Sequence, residues 1–400
     1  VSVASTRRYY DDAYTTRFAG RVAATGEHEG RPAVELEETW FYPESGGQLA
    51  DRGTVGNAAV IDVQAGEDGR VWHVIDGAPP APGGAECALE WERRFDHMQQ
   101  HTGQHVLSAA FEHVMGAATL SSTLGEERSV IEIARPAIDW KAVQEVEERA
   151  NRVLWEDREI RLHWTDAEGV KAFALRKPPA VEGPIRIVEI PDWDLSACGG
   201  THTRRTGEVG MLKVVGWEKV RGNVRVAFLC GLRSLRDHAW RAEALLESAR
   251  RRTLADRDLI THLERAADER DALAKRLREI ESKRVAEAAR SRVGDPPAGV
   301  AELADERSRE DVRAFALACL SAGAPWVVSG ARGPEPALVL ARAKSGAGDI
   351  RALLPELLAA AGGRGGGSPE MVQLGAAGAA QVAEAFALAA DRVPALVTGG

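Results

Sequence analysis

The sequence predicts a multidomain α+β protein, and three observations predict it. Four hundred residues at 44% hydrophobic content exceed one ordinary core. Between about residues 16 and 93, short apolar runs alternate with glycine and proline clusters, as in a small, mostly β domain. From 233 to 292 there is no glycine or proline, and apolar residues recur at spacings of three and four.

In the β region, "AVELEETWFY", "VIDV" and "VWHVID" read as strands of a β-barrel-like domain, interrupted by the glycine-bearing loop "YPESGGQLADRG". Residues 96–115 read as a helix, with Asp96 as N-cap and Val106, Leu107, Ala110, Phe111 and Val114 on its apolar face. "WKAVQEVEERANRVLWED" gives a second helix. "IRLHWT", a short helix near "DAEGVKAFAL", and "IRIVEI" follow. The loop "PDWDLSACGGTHTRRTGEVG" leads into a hairpin that turns at Arg221, Gly222 and Asn223.

In 233–292, Leu235, Ala239, Ala242, Leu246, Ala249, Ile260, Leu263, Ala267, Ala274 and Leu277 predict a long helix or helical hairpin with a coiled-coil seam. Its 16 Arg and Lys against 12 Asp and Glu give +4, so the rest of the chain carries −13 of the total −9. A solvated helical face accounts for such charge; backbone binding is the alternative. "GDPPAG" ends the helix. The remaining hundred or so residues hold the strands "PWVVSG" and "ALVLAR", further helices and the glycine run "AAGGRGGGSPEMVQLGAAG".

The net charge argues against non-specific coating of nucleic acid by the whole surface, while leaving room for a local basic face. Cys87, Cys198, Cys230 and Cys319 are widely scattered without a paired framework, which argues against a disulfide scaffold. No run approaches the length of a membrane helix and "VSVASTRRYYDD" lacks the apolar core of a secretory signal, so the expected location is the cytoplasm.

Chemistry concentrates in two short stretches. "DHMQQHTGQH" places His97, His101 and His105 at four-residue intervals, on one helical face. His101 and His105 can converge on one ion, although a bare pair at this spacing is more often an ordinary surface or core pair than a site. Three such histidines span about 12 Å, too far for all to reach one ion, so one end is left out. "CGGTH" at 198–202 offers a thiolate and an imidazole across two glycines that permit a tight loop. Three nitrogens and one sulfur make a tetrahedral zinc site.

"FYPESGGQLADRG", "HTGQH" and "CGGTHTRRTGEVG", in this order and at these separations, resemble the editing domain of alanyl-tRNA synthetase and its free-standing relatives, the AlaX trans-editing proteins. The helical segment and the glycine run resemble the coiled coil and DHH-associated C-terminal domain of the synthetase and of the long AlaX form. Residues 1–15 are too few for an ATP-binding aminoacylation domain, which makes the long AlaX form the expected match. The resemblance implies an N-terminal β domain over 1–93, an α+β zinc-containing editing domain over 94–231, a helical coiled-coil linker over 232–293 and an α/β DHH-associated domain over 294–400.

It further implies hydrolysis of the ester joining serine, and sometimes glycine, to the 3′ adenosine of alanine tRNA, with one Zn2+ per chain held by His101, His105, Cys198 and His202. His97 is then the bystander. Many relatives carry threonine just before the second helix histidine; here that residue is Gln104, whose amide can meet the serine hydroxyl or amino group, with Thr102 nearby. Gln104, Thr102 and Cys198 are the candidate catalytic residues. Gly46, Gly47 and Gln48 are candidates for contact with the terminal adenosine or aminoacyl group, Gly200 and Thr201 for added donors, and Arg204 and Arg205 for acceptor-end phosphates. The C-terminal domain implies contact with the tRNA elbow and homodimerisation. A zinc-folded tRNA-binding or regulatory protein without catalysis is the alternative. A DHH phosphoesterase fits poorly, because "DHM" lacks the third residue of that metal motif.

Overall fold

The computed structural model describes residues 5–66, 68–178 and 183–398. The chain divides into two compact units, Val1–Arg251 and Arg252–Gly400.

The first unit opens with a closed six-stranded barrel of β1 (Arg17–His28), β2 (Arg31–Leu36), β3 (Gly53–Val55), β4 (Ala58–Ala65), β5 (Val71–Asp76) and β6 (Gly83–Leu89), paired in the order β1-β2-β5-β4-β3-β6. Closure leaves no unpaired edge. The inward residues of the alternating strands, among them Val22, Val34, Leu36, Val60, Val63, Val71 and Ile75, form one core with Phe41. His73 is fully buried in this domain. Its Nδ1 lies 3.0 Å from the Val34 carbonyl and Nε2 lies 2.8 Å from Thr39 Oγ1. The neutral tautomer with the proton on Nδ1 satisfies both, and burial pulls the pKa down to about 4.

The second core of this unit is built on α1 (Trp91–Met115). This helix starts five residues before the expected Asp96 cap, because Trp91 stacks on Phe95 and Glu90 takes the N-cap position. Asp96 is instead inside the helix, ion-paired with Arg233. From His97 to Phe111 every residue is buried, so this stretch of the helix has no solvent face. Its Val106, Leu107, Ala110 and Phe111 pack with α2 (Trp140–Trp155) and with a sheet in which β7 (Thr119–Leu124), β8 (Ser129–Ile133), β12 (Leu212–Val220) and β13 (Asn223–Cys230) run in the order β12-β13-β8-β7. β9 (Arg161–Thr165), β10 (Ile185–Ile190) and β11 (Asp194–Ala197) form a second antiparallel sheet. Only Gly169–Ala172 of the expected short helix is helical, as one 3-10 turn. The β12–β13 hairpin turns where expected, with Arg221 and Gly222 both at positive φ.

Arg94 ties α1 to the barrel. It is wholly buried, with Nε 3.1 Å from both Asp51 oxygens, Nη1 donating to the Ala13 carbonyl at 2.7 Å and Nη2 to that of Trp40 at 2.5 Å.

The first unit ends with α3 (Gly231–Arg250). In the second, α4 (Leu259–Val293) leads to the sheet of β14 (Val300–Ala304), β15 (Trp326–Ala331), β16 (Ala337–Arg342), β17 (Gly365–Ser368) and β18 (Met371–Gly375), in the order β14-β15-β16-β18-β17. Helices α5 (Arg309–Ser321), α6 (Leu354–Ala361) and α7 (Ala379–Thr398) supply its cores. The glycine run is partly an edge strand, since Gly365–Ser368 pairs with Met371–Leu374. Leu235, Leu246, Ile260, Leu263 and Leu277 of the expected seam are exposed. No helix among the described residues is long and apolar enough to cross a membrane.

A histidine whose folded pKa lies below its unfolded value stabilises the fold fully above about pH 6.5 and loses that stabilisation as pH falls toward the folded value. For His73 the window runs from about 6.5 down to about 4 and the loss is about 3 kcal/mol. Thermal melts between pH 7 and 4 should show this decline, and His73→Gln should flatten it.

Candidate metal centre and its pocket

His101, His105, Cys198 and His202 come together, with their ligand atoms all within 4.8 Å of one another. The helix supplies the first two one turn apart, and the loop after β11 supplies the others. Ring centroids lie 4.5 Å (His101–His202), 4.9 Å (His105–His202) and 5.4 Å (His101–His105) apart. Cys198 Sγ is 3.3 Å from Nε2 of both His101 and His202. Gly200 makes the approach possible: a Cβ there would stand 2.0 Å from the His101 ring.

Each imidazole is held from behind through Nδ1. His101 Nδ1 lies 2.8 Å from Gln48 Oε1, His105 Nδ1 2.8 Å from Asp194 Oδ2 and His202 Nδ1 3.2 Å from Thr102 Oγ1. Tying Nδ1 to an outer partner fixes the ring and leaves Nε2 as the inner donor, as in histidine metal sites. Three imidazole nitrogens and one thiolate suit a zinc-like ion in a tetrahedral shell, so the residues present can hold one metal ion.

The electrostatics agree with that donor set. Burial raises the Cys198 pKa, but the neighbouring imidazoles and their hydrogen bonds outweigh it and hold the thiol well below its ordinary value. Burial lowers His105, yet the bonds to Asp194 and Cys198 lift it to about 9. At His202 burial, reinforced by His101 and His105, outweighs the pull of Cys198 and takes the pKa down to about 3. Asp194 is pushed up by burial and down more strongly by His105 and Arg176, to about 2; Arg176 Nε donates to its other oxygen at 2.6 Å.

The cluster forms part of the wall of a cavity of about 630 Å³, within the usual size range of small-molecule sites. His101, His105, Gln104, Cys198 and Gly200 line one part, and Tyr10, Tyr42, Trp164, Leu120 and Arg186 another. Trp164 is half exposed and meets Tyr10 edge-on at 5.7 Å.

The other candidates fall in four places. Gln104 and Gly46 line the cavity, and Gln104 Nε2 donates to Ser108 Oγ at 2.8 Å. Gln48, Thr102 and Thr201 lie behind the metal cluster: all are buried, Gln48 bridges His101 and Thr201, and Thr102 also accepts from the Thr203 amide. Gly47, at φ +84, packs where a Cβ would be 2.7 Å from the Ser122 carbonyl. Arg204 and Arg205 are exposed; Arg204 lies 3.9 Å over the Tyr14 ring and Arg205 is ion-paired with Asp157 at 2.6 Å. His97 is buried outside the cluster, its Nδ1 unpartnered, and burial reinforced by four arginine charges lowers its pKa to about 3.

Residues 185–226, which carry Cys198 and His202, match the family described as "Threonyl and Alanyl tRNA synthetase second additional domain". An alanine–tRNA ligase of Pyrobaculum neutrophilum is 34% identical over 390 residues, 91% of this chain and 42% of the ligase. The alanyl-tRNA editing protein AlaX-L of Pyrococcus horikoshii is 34% identical over 238 residues, 57% of this chain and 59% of the relative. The alanyl-tRNA editing protein Aarsd1 of Mus musculus is 36% identical over 210 residues, 51% of this chain and 50% of the relative. The chain is thus similar to AlaX-type editing proteins and to alanine–tRNA ligases. It spans less than two thirds of the length of each of these relatives.

The site contains residues that sequence reasoning passed over. Asp194, Ser196 and Cys198 alternate in "DLSAC", so a strand there puts all three on one side; that period could have revealed Asp194. Nothing local marks Arg176, Arg186, Tyr10 or Trp164.

Loss of an outer partner typically costs 10- to 100-fold in metal affinity. Asp194→Asn and Gln48→Met should each weaken zinc binding by about that factor, measured by competition with a chromophoric chelator on folded protein.

Proposed function

We propose that the protein hydrolyses the ester between a wrong amino acid and the 3′-terminal adenosine of alanine tRNA, chiefly serine and secondarily glycine, and that it holds one Zn2+. The observation carrying this reading is the three-imidazole, one-thiolate cluster exposed to a cavity of about 630 Å³. The relatives named alanyl-tRNA editing proteins supply the substrate class.

A synthetic site for alanine cannot readily exclude glycine, and one added hydroxyl gives serine little steric penalty, so a second hydrolytic site has chemical reason to exist. Zinc, when bound, supplies Lewis acidity and a fixed positive charge at the cavity wall. Four protein donors are also the pattern of a closed structural site, so Cys198 and the three histidines are assigned to holding that wall and orienting the aminoacyl group.

Gln104 is assigned to the amino acid. Its Nε2 is committed to Ser108, which leaves Oε1 to accept from the serine hydroxyl or amino group. Gly46 gives close backbone approach at the cavity edge, while Gly47 lets its loop pack on β7. Gly200 shares the cavity wall; Gln48, Thr201 and Thr102 act from behind, as positioning residues. Arg204 and Arg205 are assigned to acceptor-end phosphates.

The wider proposal follows the likeness to the ligase over 91% of this chain: an N-terminal β domain over 1–93, an editing domain over 94–231, a coiled-coil linker over 232–293 and a DHH-associated domain over 294–400 that supports a homodimer and tRNA binding, in a cytoplasmic protein. The closed four-donor set favours a second reading, a zinc-folded tRNA-binding protein without catalysis.

Deacylation of seryl-, glycyl- and alanyl-tRNA(Ala) by the zinc-loaded protein separates the two. Seryl ester should clear fastest and alanyl slowest. Cys198→Ala and His101→Ala should lose both zinc and at least about 100-fold in rate, and full serine clearance by both variants would refute the proposal. Gln104→Leu should slow seryl deacylation about tenfold, the worth of one hydrogen bond, and glycyl deacylation less.

A further inference from the structure

Two arginines are buried among the described residues, and they are held differently. Arg94 is closed in by the Asp51 carboxylate. Arg186, 6% exposed, has no carboxylate within ion-pair distance among the described residues. Its Nε donates to the Tyr10 carbonyl at 3.1 Å, and Nη1 donates to the carbonyls of Cys198 and Gly200, both at 2.9 Å. Nη2 has no protein acceptor among the described residues, and it is not among the buried atoms sealed off without a partner. Arg186 is part of the cavity wall.

Burial pulls this guanidinium below its ordinary pKa against the field of Cys198, Tyr10, Tyr42 and Asp11, but a guanidinium stays charged near neutrality. A buried charge without a counter-anion is costly and uncommon. Here the nearest thiolate is shared with three imidazoles, and no carboxylate among the described residues pairs directly with Arg186. The side chain is anchored to the carbonyls of two residues of the metal loop, one of which, Gly200, abuts the His101 ring. Arg186 also borders a second cavity with Tyr10, Asp11 and His202, but the cavity it shares with the cluster is the one in which an ester presented to the cluster would sit.

We propose that Arg186 is a catalytic residue that donates through Nη2 to the oxyanion formed during ester hydrolysis; this rests on the hydrolytic reading above. Water oxygen bonds to the ester carbon, and the carbonyl π pair moves onto its oxygen, which becomes the anion facing Arg186. The pair then returns, the carbon–ribose oxygen bond breaks, and a proton from the water goes to that oxygen, giving free amino acid and the terminal hydroxyl. Such a donor strengthens its hold as charge develops and is fixed in place before the reaction begins.

The test uses the zinc-loaded full chain, its Arg186→Met and Arg186→Lys variants, and two stable analogues of seryl adenosine: a tetrahedral anionic phosphonate and an uncharged 3′-amide, each with and without a 5′-phosphate. Arg186→Met should lower kcat about 100- to 1,000-fold with KM within about threefold. It should weaken phosphonate binding at least about 30-fold while amide binding and zinc content stay near wild type. Arg186→Lys, which keeps the charge, should recover at least about a tenth of the lost phosphonate affinity and guards against a failure of the methionine variant to fold. A loss that tracks the 5′-phosphate would make Arg186 a phosphate anchor and overturn the assignment. Loss of zinc along with activity in both variants would reduce Arg186 to a clamp on the metal loop and also overturn it. A wild-type chain that binds the phosphonate but hydrolyses no aminoacyl ester would instead sink the functional reading.

Discussion

Four electron-rich donor atoms cannot be packed within 4.8 Å of one another in a buried site unless positive charge is placed between or upon them. That constraint organises the first unit. Without an ion, protons carry the charge: His105 is lifted to about 9, and the Cys198 thiol is drawn well below its ordinary value by its imidazole neighbours. With an ion, the same Nε2 atoms and the same sulfur are free to turn to it. Either way, orientation comes from outside the cluster, where Gln48, Asp194 and Thr102 each take one Nδ1. These three come from the loop before β3, from β11 and from α1 itself, so the inner donors are correct only when three parts of the unit are correctly assembled.

The barrel is part of that assembly. Gln48 reaches His101 because its loop is stitched at both sides: Ser45 and Gln48 bond to each other, and the Leu124 amide of β7 donates to the Gly47 carbonyl at 2.7 Å. Three residues further on, Asp51 holds Arg94, whose remaining donors take the carbonyls of Ala13 and Trp40. A buried pair of this kind contributes little net stability against an apolar substitute, but removing one partner strands a charge. Its effect is to fix the register of α1 against the barrel. A slide of one residue would turn the ligand face by about 100° and point His101 and His105 away from the loop.

Much of this was legible in the sequence, for reasons that can be named. The metal set showed because its spacing is local: four residues on a helix, four across two glycines, each compatible with one ion only in a few geometries. The barrel strands and the α2 helix showed through their apolar periods, and the β12–β13 turn through Arg-Gly-Asn. The start of α1 did not, because Asp96 imitates a cap while its carboxylate is engaged by Arg233, 137 residues away. Gln48 was visible but read as a substrate contact, since nothing local says that a buried amide serves a histidine. Arg176, Arg186 and Trp164 were silent because their meaning depends on pairing partners brought together only by the fold. The glycine run hid a strand, since Gly365–Gly367 carry no side chain from which a two-residue period could be read.

Two glycines show how closely the remaining freedom is used. Gly103 sits inside α1, where glycine is intrinsically unfavourable, yet a Cβ there would lie 2.2 Å from Cys230 Sγ. Gly200 presses against His101 from the opposite direction. The ligand-bearing turn of α1 is therefore confined between β13 and the metal loop, with no methyl group to spare at either contact. Because His101 and His105 flank Gly103, alanine at 103 would push the helix toward the very loop that alanine at 200 would push back. The cluster geometry is thus set by backbone proximity on two sides as well as by the outer hydrogen bonds, and conservative changes that touch no donor atom can still separate the donors.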